Sequence, residues 1–176
     1  MGNVILIGFM GCGKTTVGLR LSYRLRKPVT DTDKEIEREE KRSIADIFAS
    51  DGEEYFRGKE TECLRKLIKS VRNHIVSVGG GLPMREVNRE LLHELGQVFY
   101  LRAKAETIYE RLQGDTTRPL LQCSDPQEKI RVLMEQRDQH YRDAADVVIQ
   151  VDGKSFEQIL NEIEAQCHNR TIGRIN

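Results

Sequence analysis

Short apolar runs alternate with longer amphipathic segments along this chain. Val4–Ile7 is apolar at every position, the pattern of a strand buried on both faces. Val29–Asp31 and residues 75–78, 98–101 and 147–151 are the other strand candidates. Helical patterns fall between them at residues 14–26, 33–40, 44–49, 53–71, 85–95, 105–113, 126–142 and 155–168. Val17, Leu21 and Leu25 make one stripe of the first helix. Leu64, Leu67, Ile68 and Val71 give the i, i+3, i+4, i+7 spacing in the fourth. Ser43 followed by Asp46 predicts a capping box, with Asp in the place of the usual Glu or Gln. Strands separated by helices predict an α/β fold with a parallel sheet and ligands at the carboxyl ends of its strands. The length predicts one domain over residues 1–176, and the polar stretch 169–176 is expected to fray.

The segment from Gly8 to Thr15 reads G-F-M-G-C-G-K-T and fits G-x-x-x-x-G-K-[ST]. It lies between the first strand and the first helix, which is where a phosphate-wrapping loop must lie. Its glycines let backbone N–H groups turn toward phosphate oxygens, and the helix N-terminus adds partial positive charge. Lys14 is expected on the β- and γ-phosphates, and the Thr15 hydroxyl on Mg²⁺.

Charge and cysteine usage narrow the remaining classes. Lys plus Arg and Asp plus Glu both number 28, so no basic excess points to nucleic acid or an anionic membrane. No apolar stretch approaches the ~18 residues of a membrane span. The first apolar run has no basic segment ahead of it and leads straight into the loop, so it reads as a core strand and not a signal peptide. Cys12, Cys63, Cys123 and Cys167 form no C-x-x-C and are expected to be reduced cytosolic thiols.

Five further clusters carry candidate chemistry. Asp31-Thr32-Asp33 closes the second strand, and its acids suit a Mg²⁺ partner and a group engaging the attacking oxygen, or else Asp31 caps the strand and Asp33 is the N-cap of the next helix. The lack of an apolar run ending in Asp near residue 79 strengthens Asp31 as the metal's carboxylate. Arg57 and Glu60 are i, i+3 on a helix; on spacing alone they read as a solvated ion pair, the alternative being that Glu60 orients Arg57 toward an anionic substrate. Gly79, Gly80 and Gly81 end the third strand, for close ligand approach or a tight turn. Residues 114–121 break the helical pattern around Arg118, as a lid or as an ordinary connection. Arg137 and Tyr141, i, i+4 on a later helix, read by themselves as surface or packing residues.

Taken in order, G-x-x-G-x-G-K-T, D-T-D, S-I-A-D-I-F, F-R-x-x-E, G-G-G, R-P-L-L and R-x-x-x-Y resemble the shikimate kinases, over most of the chain from Gly8 to Tyr141. The resemblance implies a three-layer P-loop kinase fold with a five-stranded parallel sheet, a substrate-binding segment at about residues 32–60 and a lid at about 114–124. It implies ATP-dependent phosphorylation of the shikimate 3-hydroxyl, a step toward chorismate and the aromatic amino acids, by a cytoplasmic monomer whose partners are small molecules. Carried over by position, Gly11, Cys12, Gly13, Lys14, Thr15 and Thr16 bind the phosphates, with Arg111 against adenine. Thr15 ligates Mg²⁺ and Asp31 holds its hydration shell. Asp33 contacts the ring hydroxyls as candidate base; Arg57, Gly79, Gly80, Gly81 and Arg137 hold shikimate; Arg118 descends from the lid. The chain departs from the pattern at residues 151–156, where many relatives have a Pro in the adenine-covering loop and this chain has none. The competing readings are a gluconate or nucleoside monophosphate kinase on the same core, or a nucleotide-binding regulator without turnover.

Overall fold

The computed structural model describes residues 2–113 and 124–172, with side chains of the last helix as far as Cys167. Its centre is β1 (Val4–Ile7), whose four residues are at most 1% exposed. β3 (Ile75–Ser77) and β4 (Gln97–Arg102) pair with it on either side. β2 (Val29–Asp31) and β5 (Val147–Gln150) form the edges, giving a five-stranded, all-parallel sheet in the order β2-β3-β1-β4-β5. Parallel pairing demands crossovers, and helices supply them: α1 (Lys14–Leu25), α2 (Thr32–Glu40), α3 (Ile44–Ser70), α4 (Glu86–Leu95), α5 (Ala105–Leu112) and α6 (Pro126–Ala144), with α7 (Phe156–Ile172) following β5. The strand order reverses at β1, whose parallel neighbours β3 and β4 lie on its opposite sides. The crevice at its carboxyl end is where an open α/β sheet binds ligands.

Local chemistry accounts for the boundaries. Ser43 and Asp46 form both halves of the expected capping box at the start of α3. Asp125 caps α6, with Pro126 in the first turn. The two helices expected at residues 44–49 and 53–71 run on as α3 but kink at Gly52, which has φ 82° and ψ 175°. Gly58, a weak helix former, is carried inside that helix. A 3₁₀ turn at Leu82–Met84 was not legible in the hydrophobic pattern. Among the described residues no helix is long and apolar enough to cross a membrane.

Candidate active site

The loop after β1 turns into α1 on glycines. Gly11 has φ 77°, and Gly13, the N-cap of α1, has φ 103°; a side chain at either would be strained. No side chain caps α1 and no acid sits in its first turn. The free N–H groups and positive helix end are thus left to an anionic ligand. The Lys14 ammonium rests on the carbonyls of Gly8 at 2.7 Å and Phe9 at 3.1 Å, with the Cys12 sulfur at 3.9 Å. Cys12 itself is buried, whereas Thr15 and Thr16 are exposed on the first turn of α1. Arg111, from the last turn of α5, donates to the Gly11 carbonyl at 3.2 Å, which lays its guanidinium along the rim of the loop.

The three residues closing β2 divide the work among them. Asp31 is the N-cap of α2: its Oδ1 accepts from the N–H groups of Asp33 and Lys34, at 3.0 and 3.3 Å. The cap is therefore Asp31, not Asp33. Thr32 is fully buried, and its hydroxyl accepts from the Gly79 N–H at 3.1 Å, tying β2 to the end of β3. Nothing in the sequence marked that tie. Asp33 is thereby aimed at Gly79, where a Cβ would stand 2.6 Å from its Oδ1 and 3.1 Å from Glu60 Oε1. Those two carboxylate oxygens are buried and have no hydrogen-bond partner. Burial, with help from Asp31 and against the pull of Lys14, raises Asp33 from 3.8 to about 6.

Gly81 is as constrained, Gly80 less so. A Cβ on Gly81 would fall 2.3 to 2.6 Å from Nη1, Nη2 and Cζ of Arg57, so the guanidinium lies flat on that residue. A Cβ on Gly80 would meet the Gly8 carbonyl at 3.5 Å and the Met10 N–H at 3.6 Å, so the phosphate loop and the glycine turn touch. Gly79 and Gly81 serve the close approach of Asp33 and Arg57 side chains, and Gly80 and Gly81 also form a turn. Their φ values are not in the left-handed region.

Arg57 and Glu60 are not the solvated pair their spacing suggests. Glu60 is fully buried and takes Arg57 Nη1 at 2.8 Å, while exposed Glu53 takes Nε and Nη2 at 3.2 and 3.0 Å. The guanidinium is held on two sides with donors to spare. Tyr141 is a packing residue, as its solitary reading allows, stacked on Tyr100 with ring centres 5.0 Å apart. The Arg137 guanidinium lies 5.7 Å from the Phe9 ring centre, and buried Tyr141 donates to the Gly80 carbonyl at 2.6 Å. The structure thus brings Asp33, Arg57 and Glu60 around one glycine turn beside the phosphate loop, with Arg137 over the Phe9 ring of that loop. Arg118, and with it the expected lid through residue 123, lies outside the described residues. After β5, where no Pro stands, Asp152 accepts from the Lys104 N–H at 3.1 Å and from the Thr107 hydroxyl at 2.6 Å. This anchors the loop to α5.

Burial pushes Glu60 up from 4.5 to about 7; Arg57 opposes the rise and Asp33 adds to it. A folded value above the unfolded one means the neutral form favours the fold, and that stabilisation is lost as pH rises through about 7. Glu60→Gln is neutral throughout. The melting temperature of the native protein minus that of the variant is therefore expected to fall by a few degrees between about pH 5 and about pH 8. Thermal melts across that range check this, and a constant difference would contradict it.

Comparison with known proteins bears on this geometry. The sequence profile described as shikimate kinase matches residues 10–168. A shikimate kinase of Nitrosospira multiformis is 42% identical over 165 residues, covering 94% of this chain and 84% of the relative. One from Bacillus cereus is 42% identical over 168 residues, covering 96% and 99%. The solved structure of the Acinetobacter baumannii shikimate kinase, in complex with shikimate, superposes with a TM-score of 0.89 at 36% identity, covering 97% of this chain and 94% of the other. A phosphate loop facing a buried carboxyl and two arginines, in a chain alike over nearly its whole length to these enzymes, places this protein in the shikimate kinase family.

Proposed function

We propose that this chain transfers the γ-phosphoryl group of ATP to the 3-hydroxyl of shikimate, giving shikimate 3-phosphate and ADP. The observation that carries the reading is the contact of the glycine turn with the phosphate loop: it sets an acceptor held by Asp33, Arg57 and Arg137 against the phosphates held at α1. The acid-binding arginines favour shikimate over a nucleoside monophosphate acceptor, and the buried carboxyl near Lys14 favours turnover over simple nucleotide binding.

In this reading the N–H groups of the loop and Lys14 hold the phosphates, and Arg111 flanks the nucleotide. Arg57 grips the substrate carboxylate through its remaining donors, with Arg137 from the other side. The 3-oxygen forms a bond to the γ-phosphorus as the bridging oxygen of ADP leaves. Because phosphoryl transfer is governed by positioning and charge neutralisation, Asp33 need only orient the hydroxyl and take its proton late. Arg118 would add positive charge from the lid.

The residues also suit Mg²⁺. The Thr15 hydroxyl is exposed on α1, and both capping bonds of Asp31 go to Oδ1, leaving Oδ2 for a metal-bound water. Mg²⁺ takes few protein oxygens and keeps waters and substrate phosphates. Among the described residues no cluster of three or more His, Cys, Asp or Glu could cage a metal. Bound there, Mg²⁺ would neutralise phosphate charge.

A coupled assay of ADP release with shikimate, gluconate and nucleoside monophosphates tests the reading; turnover confined to gluconate or a nucleotide would replace it. Arg57→Ala or Arg137→Ala removes a charge-assisted contact worth roughly 1.5–3 kcal/mol. The shikimate KM is then expected to rise about ten- to a hundredfold, with kcat less affected and the ATP KM little changed. Steady-state kinetics with each substrate varied check this. Equal damage to both substrates would mean the arginines serve the fold.

A further inference from the structure

Asn88 is fully buried in the first turn of α4, and Thr61, four residues after Arg57 on α3, is 7% exposed. The Asn88 amide joins α3 to the segment after the glycines. Its Nδ2 donates to the Leu82 carbonyl at 2.9 Å. A carbonyl only accepts, so the amide oxygen must face the other way, where the Thr61 hydroxyl donates to it at 2.7 Å. The same hydroxyl lies 3.2 Å from the carbonyl of Arg57, one turn back on its helix. Leu82 opens the 3₁₀ turn that follows the glycines. Its N–H donates to the Gly79 carbonyl and the Met84 N–H to the Gly81 carbonyl, both at 3.1 Å. Arg89, next to Asn88, holds the other two carbonyls of that turn, those of Pro83 at 2.9 Å and Met84 at 3.2 Å. The glycine turn is thus strapped to α4, and the buried amide ties it on to the helix that carries Arg57.

We propose that Thr61 and Asn88 are positioning residues for Arg57, setting α3 at the distance from the glycine turn that lays the guanidinium on Gly81. The proposal rests on Arg57 being a ligand of the substrate carboxylate. The seam has little slack: a Cβ on Gly81 would fall among the atoms of the Arg57 guanidinium. A small shift of α3 would part the two or press them together, and would move the donors that face the substrate. Apolar packing is a weak guard against such a shift, because it is non-directional. A hydrogen bond fixes distance and angle, and a buried one is costly to break, since each group would lose its partner away from water. A guanidinium held in place before the acid arrives gives up less freedom on binding it.

Thr61→Val keeps the shape and removes the hydroxyl; Thr61→Ser keeps the hydroxyl and removes a methyl group. The Val variant is expected to raise the shikimate KM roughly three- to tenfold, with the ATP KM and kcat each within about twofold of native. The Ser variant should keep both KM values within about twofold, even where its melting temperature falls. In an Arg57→Ala background Thr61→Val should add less than about twofold, because the arginine it positions is gone. Thr61→Cys, a weaker donor of similar size, should raise the shikimate KM by a smaller factor and covers the case of a poorly folding Val variant. A role confined to stability would instead make the KM of both substrates follow the melting temperature across these variants, and the effect would persist without Arg57. That result, or an unchanged shikimate KM in Thr61→Val, overturns the proposal and leaves shikimate turnover by the unaltered protein standing. Absence of that turnover would overturn the functional reading beneath it, and this proposal with it.

Discussion

Lys14→Met is expected to reduce turnover by roughly 10²–10³-fold or more while leaving the protein folded. The ammonium lies on two neutral carbonyls, those of Gly8 and Phe9, and among the described residues no carboxylate pairs with it. Its charge is therefore not part of an ion pair that the fold depends on. Methionine keeps most of the stem and loses the polar contacts of a half-exposed ammonium, worth at most roughly 1.5–3 kcal/mol each. The catalytic loss is larger because charge builds on the transferring group in a site where the loop N–H groups and Lys14 supply the neutralisation. Turnover measured beside thermal unfolding separates the two effects. Normal turnover by a folded variant would remove the phosphate loop from the mechanism.

Asp33→Asn is expected to lower kcat by roughly 10²–10⁴-fold, with a smaller change in shikimate KM, because asparagine still hydrogen-bonds a hydroxyl but cannot take its proton. The native protein should show a matching pH dependence. Burial keeps Asp33 protonated up to about pH 6, so activity should climb as pH rises to that value and level off above it. The residual activity of the Asn variant should lack that limb. Stability should move the other way. Since the folded value exceeds the unfolded 3.8, ionising Asp33 costs stability as pH rises through about 6. The variant escapes that cost and should melt no lower than the native protein at pH 8, a trade of stability for function. An Asn variant with native kcat and the native pH limb would deny Asp33 its role.

The sequence disclosed most where one local pattern determined the outcome. Val4–Ile7 became the central strand because an all-apolar run can only be buried on both faces. The Ser43–Asp46 box and the loop ahead of Lys14 are similarly local. What it concealed depends on groups far apart in the chain. Glu60 looks like half of a surface pair on its own helix; it is buried with its Oε1 against Gly79, and nothing within helical reach of Glu60 announces that. Thr32 sits between two acids that draw attention, yet its hydroxyl makes the tie to Gly79 across 47 residues. Tyr141 has an ordinary packing environment apart from one oxygen, 61 residues from its partner carbonyl. The order of the motifs, more than any one of them, pointed to the family.

The most direct test of the account is the identity of the product. ATP, Mg²⁺, shikimate and this protein should yield a phosphoester at the 3-oxygen of shikimate, one for each ADP formed, visible by phosphorus NMR and mass spectrometry. ATP hydrolysis to free phosphate with shikimate unchanged, or a phosphoester on another oxygen, would contradict an acceptor hydroxyl held between Asp33 and the phosphate loop.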